Sequence, residues 1–501
     1  MAAAEAGPVR AARFAGAGAA FLPALLLLWL VLRATGGQFT YTLDDPYIHL
    51  GLARAIAHGH YGLNPGELSA PSSSILWPFL LAPFAALPER AFELVPLALN
   101  LACLGASLVV MLRLLPQPLP RWWAATATAL LALMLNLYGL VFTGMEHSLQ
   151  LLLVLVALDG FFARPPDGSA RPARFYAALA LLPLVRYEGL ALSAALLGYQ
   201  FLRGDRRNTV LAGGVALAGI IGFSLFLHAQ GLGWLPSSVL AKATADNGQW
   251  PIVARFRLNL HNHPLLLLGV VAGLWRIARR DPLLATALSG MTLLHLAFGQ
   301  FGWSGRYEVY WLAAIVIVVL REPGLARPLG LLPILAFLAL ASNLRNSTLD
   351  TPGQAGTILA QQGQMDRIAA LLDAPVAAND IGLLTLHARH YVLDLWGLAS
   401  PDTLALRKAS PGDAAWAGAA MRRHGVRHAM IYADWFPHLP GDWIAVGTLA
   451  LAGDRHALGG AVVTFYATDP AAAERLRAAL ALYRNCCAIP QAVVRIGPAT
   501  R

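Results

Sequence analysis

Apolar runs alternate with short polar breaks, several of them arginine-bearing, through the first two-thirds of the chain, and the alternation stops near residue 345. A hydrocarbon core about 30 Å thick takes roughly 20 apolar residues in a helix. Stretches of that kind, several of them shorter, fall at residues 14–34, 92–113, 122–142, 145–163, 173–186, 188–203, 208–229, 264–278, 282–301, 306–321 and 328–344, which predicts about eleven spans. A further apolar piece, SSILWPFLLAPFAALP at 73–88, carries Pro78, Pro83 and Pro88. Proline removes a helical hydrogen bond and clashes with the preceding turn, so this piece is predicted as a broken helix lying along the membrane face. Beyond residue 344 the apolar runs shorten to VLDLWGL, HAMIYADW, DWIAVGTL and AVVTFYA, which have strand length and composition. Amphipathic stretches at 365–372 and 471–483 lie among them. The pattern predicts an α-helical polytopic membrane domain over 1–344 and a small α/β domain over 345–501.

Arginine positions assign the two faces. Arg10 with Arg13, Arg113 with Arg121, Arg164 with Arg171 and Arg174, Arg203 with Arg206 and Arg207, Arg276 with Arg279 and Arg280, and Arg321 with Arg327 fall in alternate loops. Cytoplasmic loops carry the excess of basic residues, so all six are cytoplasmic together, and the N-terminus with them. Residues 35–91 then form one large external loop. The turns at 144–146, 186–188 and 302–306, the segment 230–263 and everything after Arg345 share its face. The apolar run after Arg13 is longer than a signal-peptide core, and it reads as a retained first span.

Composition narrows the function classes. The 501 residues are 57% hydrophobic and only 13% charged, where soluble domains carry about 25% charged residues. The net charge of +10 would suggest nucleic acid in a soluble protein. Here the arginines are spent on orientation, and no nucleic-acid partner is implied. Lysine occurs only at Lys242 and Lys408 among abundant arginine and alanine, a bias typical of GC-rich bacterial genomes. Cys103 reads as a core residue, and a bridge between the adjacent Cys486 and Cys487 would be strained, so neither a disulfide framework nor a zinc pattern is read.

Asp44 and Asp45 follow directly on the first span, in TLDDPYIHLGLARAIAHGHYGLNPGE. Paired acids beside a lipid core are costly unless they face water, a cation or a substrate. This loop, with SAPSSSILWP after it, resembles the first external loop of GT-C membrane glycosyltransferases. More closely, it is similar to the terminal arabinofuranosyltransferases that use a decaprenyl-phosphate sugar. Further similarity follows in order in TGMEHSLQLLL, LVRYEGLAL, GLGWLPSSVLAK, GRYEVYW and ANDIGLLTLHARHYVLDLWGLASPD, all of them external by the arginine pattern.

The resemblance implies an inverting transfer from a polyprenyl-phosphate sugar to a cell-envelope glycan, lipid or protein, at the outer face of a bacterial inner membrane. A hydroxyl acceptor needs a base, which makes Asp44 or Asp45 the catalytic candidate. The neighbouring acid would orient the acceptor or support a divalent metal, the one candidate cofactor. Positive charge must meet the leaving phosphate, and Arg186, Lys242 and Arg306 are the candidates. Glu146 and Arg54 are candidates for acceptor binding. Two alternatives share the many spans: an envelope-precursor transporter or flippase, and a non-catalytic GT-C relative serving membrane assembly or motility. A transporter would place ionisable groups near mid-membrane between repeated halves, whereas these acids and arginines gather at one face.

Overall fold

The computed structural model describes residues 2–115, 120–163, 171–243, 251–322, 328–410, 412–436 and 438–497. Among them, three helices are long and apolar enough to cross a membrane, at Phe14–Ala34, Glu89–Leu114 and Arg206–Ala229. Eight shorter apolar helices, from Trp122–Met134 to Leu332–Ala341, occupy the other predicted stretches. Large apolar side chains cover the outside of the bundle, among them Leu22, Trp29, Leu211, Ile221, Leu268 and Trp275. An apolar exterior around helices that satisfy their own backbone defines a polytopic membrane protein.

Two predicted helices are interrupted. Asn136, in the left-handed conformation, separates Arg121–Met134 from Leu137–Phe142. Its side chain reaches Ser304 O at 2.6 Å and accepts from Thr348 at 2.8 Å, so the break fastens this turn to two others. The 73–88 piece is reduced to the five-residue helix Trp77–Leu81 and the 3-10 turn Ala82–Phe84.

The breaks between helices meet at one end of the bundle. Thr42 N donates to Phe142 O at 3.0 Å, and Ile75 N to Leu184 O at 3.2 Å. Tyr41 OH donates to Glu93 O at 2.6 Å. The turn at Gly144 packs so closely that a Cβ there would stand 2.7 Å from both Pro46 and Tyr41, and its φ of +65° also suits glycine.

Over that end lies a six-stranded mixed sheet of β1 (Val376–Ala378), β2 (Val392–Asp394), β3 (His428–Ile431), β4 (Ile444–Leu451), β5 (Val462–Ala467) and β6 (Ala492–Ile496), in the order β2-β1-β3-β5-β4-β6. β1 pairs in parallel with β2 and β3, and the remaining pairs are antiparallel. Alternate residues feed two cores. Val376, Ala378 and Met430 pack with the helices Thr351–Leu372 and Pro470–Cys486, while Ala377, Ala429 and Ile431 pack with Ala415–Arg423. The Thr351–Leu372 helix also joins the bundle, with Ala355 and Ile358 in the same apolar cluster as the first span.

Cys486 and Cys487, read from the sequence as unbridged, are bonded to each other where the last helix ends.

Candidate functional site

A cavity of about 260 Å³ opens where the bundle meets the sheet. The bundle side contributes Asp44, Asp45, Trp303, Arg306 and Tyr307, and the sheet side Asn379, Asp380, Trp396, Leu398 and Trp435.

Asp44 precedes the helix Asp45–Ala57, where proline at the second position begins the helix without needing its missing N–H. Its carboxylate leaves its own helix and crosses to the sheet unit. Oδ2 accepts from Gly382 N at 2.5 Å and Oδ1 from Leu383 N at 3.0 Å. Burial pushes the Asp44 carboxyl up to about 6, the two amides pull against it, and the charges of Asp45 and Asp366 add to the rise. Asp45 turns the other way, with Oδ2 2.6 Å from Arg306 Nη2. That guanidinium is the cation beside the paired acids. Arg306 is only 4% exposed, and its Nη2 also donates to Tyr307 OH at 3.0 Å. Its Nε and Nη1 are buried without a hydrogen-bond partner. Buried N–H groups left open cost free energy until an acceptor arrives.

Glu146 and Arg186 form a second polar cluster, behind Tyr307. Arg186 donates from Nη1 to Glu146 at 2.9 Å and to Ser73 at 2.6 Å, and it grips Glu188 from Nε and Nη2 at 3.1 and 2.7 Å. Glu146 is wholly buried, with Oε2 3.6 Å from His49 Nε2. The guanidinium centres of Arg186 and Arg306 lie 5.5 and 4.9 Å from the Tyr307 ring. Neither Glu146 nor Arg186 lines the cavity, because each is taken up by the other and by Glu188. Both stand one side chain back from the cavity, with the Arg186 guanidinium against the Tyr307 ring that lines it.

Arg54 is also elsewhere. It sits in the last turn of its helix, donates to Leu386 O at 3.1 Å and faces Glu89 at 3.6 Å, away from the lining of this cavity. Lys242 belongs to the helix Ser237–Ala243, and its side chain lies outside the described residues. That helix begins at the cavity wall, where Ser237 Oγ donates to Ala70 O at 2.8 Å and lies 2.5 Å from Leu398 O.

The sheet-side residues are not among the candidates that the sequence supplies. Asp380, Trp396 and Trp435 were visible as an acid and two tryptophans near strand ends, but nothing in the sequence pairs them with Asp44, more than 300 residues earlier. Asp394, by contrast, takes up backbone N–H groups of Trp396, Leu398 and Ala399 and shapes the β2 turn.

Among the described residues, two groups carry metal-ligand chemistry, Glu67 with Asp402 and His424, and Glu89 with Glu93 and His387. In the second, His387 Nδ1 meets Asp366 at 3.0 Å and Nε2 meets Glu93 at 3.1 Å. An outer carboxylate of that kind orients a metal-binding imidazole. Neither group includes Asp44 or Asp45, so a divalent cation would find its three-ligand sets outside the cavity.

A family described as a domain of unknown function (DUF8728) matches residues 355–466. No curated protein matches the chain. Among solved structures, the Archaeoglobus fulgidus oligosaccharyltransferase, crystallised with Zn and sulfate, is 14% identical, with 90% of this chain and 73% of that one covered and a TM-score of 0.48. The same archaeal enzyme with an inhibitory peptide and a dolichol-phosphate is 12% identical, over 97% of this chain and 76% of that one, with a TM-score of 0.48.

Proposed function

We propose that this chain is an inverting GT-C-type glycosyltransferase that moves a monosaccharide from a polyprenyl-phosphate donor to a cell-envelope glycan, lipid or protein. Residues 1–344 act as the membrane catalytic domain of a bacterial inner-membrane enzyme. Residues 345–501 close over its external face, and the N-terminus is cytoplasmic. One observation carries the reading. A single cavity at the end of an apolar bundle holds two adjacent carboxylates and a buried guanidinium with two unpartnered nitrogens. That set supplies a base and an anion site side by side, next to where a lipid carrier would lie.

In this reading the acceptor hydroxyl oxygen bonds to the anomeric carbon from the face opposite the phosphate. The bond from that carbon to the phosphate oxygen breaks, and its electron pair passes to the phosphate. The hydroxyl proton passes to Asp44. Asp45 holds Nη2 of Arg306 and leaves Nε and Nη1 to receive the charge that grows on the leaving phosphate. Lys242 is a second candidate for that charge. Glu146, Arg186 and Glu188 hold Tyr307 and His49 in place behind Arg306, as positioning residues.

The test uses full-length protein in nanodiscs, a panel of radiolabelled polyprenyl-phosphate pentoses and hexoses, and envelope extract as acceptor. Wild type is expected to transfer one of them, and Asp44→Asn to lose about 10²–10⁴-fold, the usual weight of a general base. Arg306→Lys is expected to raise the donor KM at least tenfold, because a lysine cannot present the two-pronged donor. Transfer from none of the donors, or transfer indifferent to both substitutions, would overturn the reading.

A further inference from the structure

All three parallel strands end on the cavity. β1 runs into Asn379 and Asp380, β2 into the turn that carries Trp396 and Leu398, and β3 into Tyr432 and the turn that carries Trp435. The chain leaves β1 for β2 on one side, then returns past β1 to lay down β3 on the other. Strand order therefore reverses at β1. In open α/β sheets, ligands bind in the crevice outside the carboxyl ends of the strands, at this reversal.

The residues at that point are equipped for a ligand. Asn379 Oδ1 accepts from Tyr432 N at 2.9 Å, which fixes the amide so that Nδ2 turns away from β3. Asn379 is only 4% exposed, it lines the cavity, and its Nδ2 has no hydrogen-bond partner. Beside it, Asp380 is held by Gln362 Nε2 at 2.9 Å. A free amide donor and a carboxylate on consecutive residues offer both halves of the hydrogen bonding that one hydroxyl requires. Trp396 and Trp435, with ring centroids 4.9 Å apart, provide the apolar wall, and Trp303 stands on the bundle side of the cavity.

We propose that this crevice is the acceptor subsite, in which a carbohydrate hydroxyl is seated between Asn379 Nδ2 and the Asp380 carboxylate while the sugar ring packs against Trp396 and Trp435. The proposal rests on the glycosyltransferase reading and adds to it that the α/β unit supplies half of the reaction centre and that the acceptor is a sugar. Seated there, the hydroxyl faces Asp44 and Arg306 across the same cavity. Burial, then the Asp44 charge, hold the Asp380 carboxyl above the ordinary carboxylate range.

Two conservative variants test this in the full-length protein. Asn379→Asp removes the free donor and keeps the oxygen that Tyr432 N needs, while Asp380→Asn keeps an acceptor for Gln362. Each is expected to raise the acceptor KM tenfold or more while the donor KM moves less than twofold, a split that general damage to the fold would not produce. Arg477→Ala, on the exposed face of the last helix, is the control and is expected to change neither. Independently of turnover, saturation-transfer NMR with soluble pentofuranose and hexopyranose trisaccharides is expected to show one of them bound to wild type and neither bound to Asp380→Asn. The proposal is overturned if no trisaccharide binds wild type, if binding and acceptor KM survive both substitutions, or if a hydroxyl-bearing peptide binds in place of the sugars. Failure of every donor alongside trisaccharide binding lost in Asp380→Asn would sink the transferase reading and leave the sugar subsite standing.

Discussion

Asp44 is the residue on which the pH behaviour turns. Burial raises its carboxyl to about 6, above the 3.8 of an isolated aspartate, in spite of two backbone amides that favour the charged form. Below that value it holds a proton and cannot take another. The rate, as kcat/KM, is therefore expected to fall about tenfold per pH unit below 6 and to level off above it, provided Asp44 is the base. A profile flat from pH 4.5 to 7.5 would remove Asp44 from that role. The paired acids were legible in the sequence because adjacent carboxylates after a first span have few structural reasons to exist. Arg186 was one of three phosphate candidates in the sequence, and its full compensation is not local. Glu188 is two residues away, but Glu146 is 40 away and meets it only in the folded bundle.

The short helix Gly382–His387 carries the connection between Asp44 and the sheet. Its first residue has no room for a side chain, since a Cβ at Gly382 would stand 2.1 Å from Asp44 O and 2.8 Å from Asp44 Cγ. Gly382→Ala is expected to cost about 1–3 kcal/mol as an overpacked contact. It should also push the Asp44 carboxylate off its two amides, so that transfer falls at least tenfold. Thermal unfolding and turnover check the two effects separately, and an unchanged rate would show that this docking does not set the position of Asp44. The apolar helices of the bundle and strands β2 to β5 were legible because their hydrophobic runs are long or contain β-branched and aromatic residues. β1 was not, because a three-residue strand reading VAA, buried on both faces, shows neither alternation nor length.

The bundle and the sheet are also joined along an edge. β2 is the outer strand of the sheet, and the side chain of Asn64, from the first loop, pairs with it as a neighbouring strand would. Its Nδ2 donates to Val392 O at 2.9 Å and its Oδ1 accepts from Val392 N at 3.1 Å. Open strand edges invite pairing with other chains, and this amide covers one. Asn64→Ala is expected to destabilise the protein by about 1–3 kcal/mol, because it leaves a buried backbone pair unsatisfied. Hydrogen exchange should quicken at residues 391–394, and unchanged protection there would mean that the edge is covered by other groups. No local pattern around Asn64 reveals a partner 328 residues distant.

The link between Asp44 and Gly382 has a consequence for the birth of the molecule. The two residues are separated by 338 positions. At a synthesis rate of about 5–20 residues per second, the helix that receives the carboxylate leaves the ribosome roughly 20–70 seconds after the carboxylate does. Through that interval the bundle is already entering the lipid, while its reactive acid has no seat and the cavity has only one wall. On the proposed reading, a half-made chain has no competent centre with which to spend carrier lipid, and transfer begins only when the last third of the polypeptide arrives.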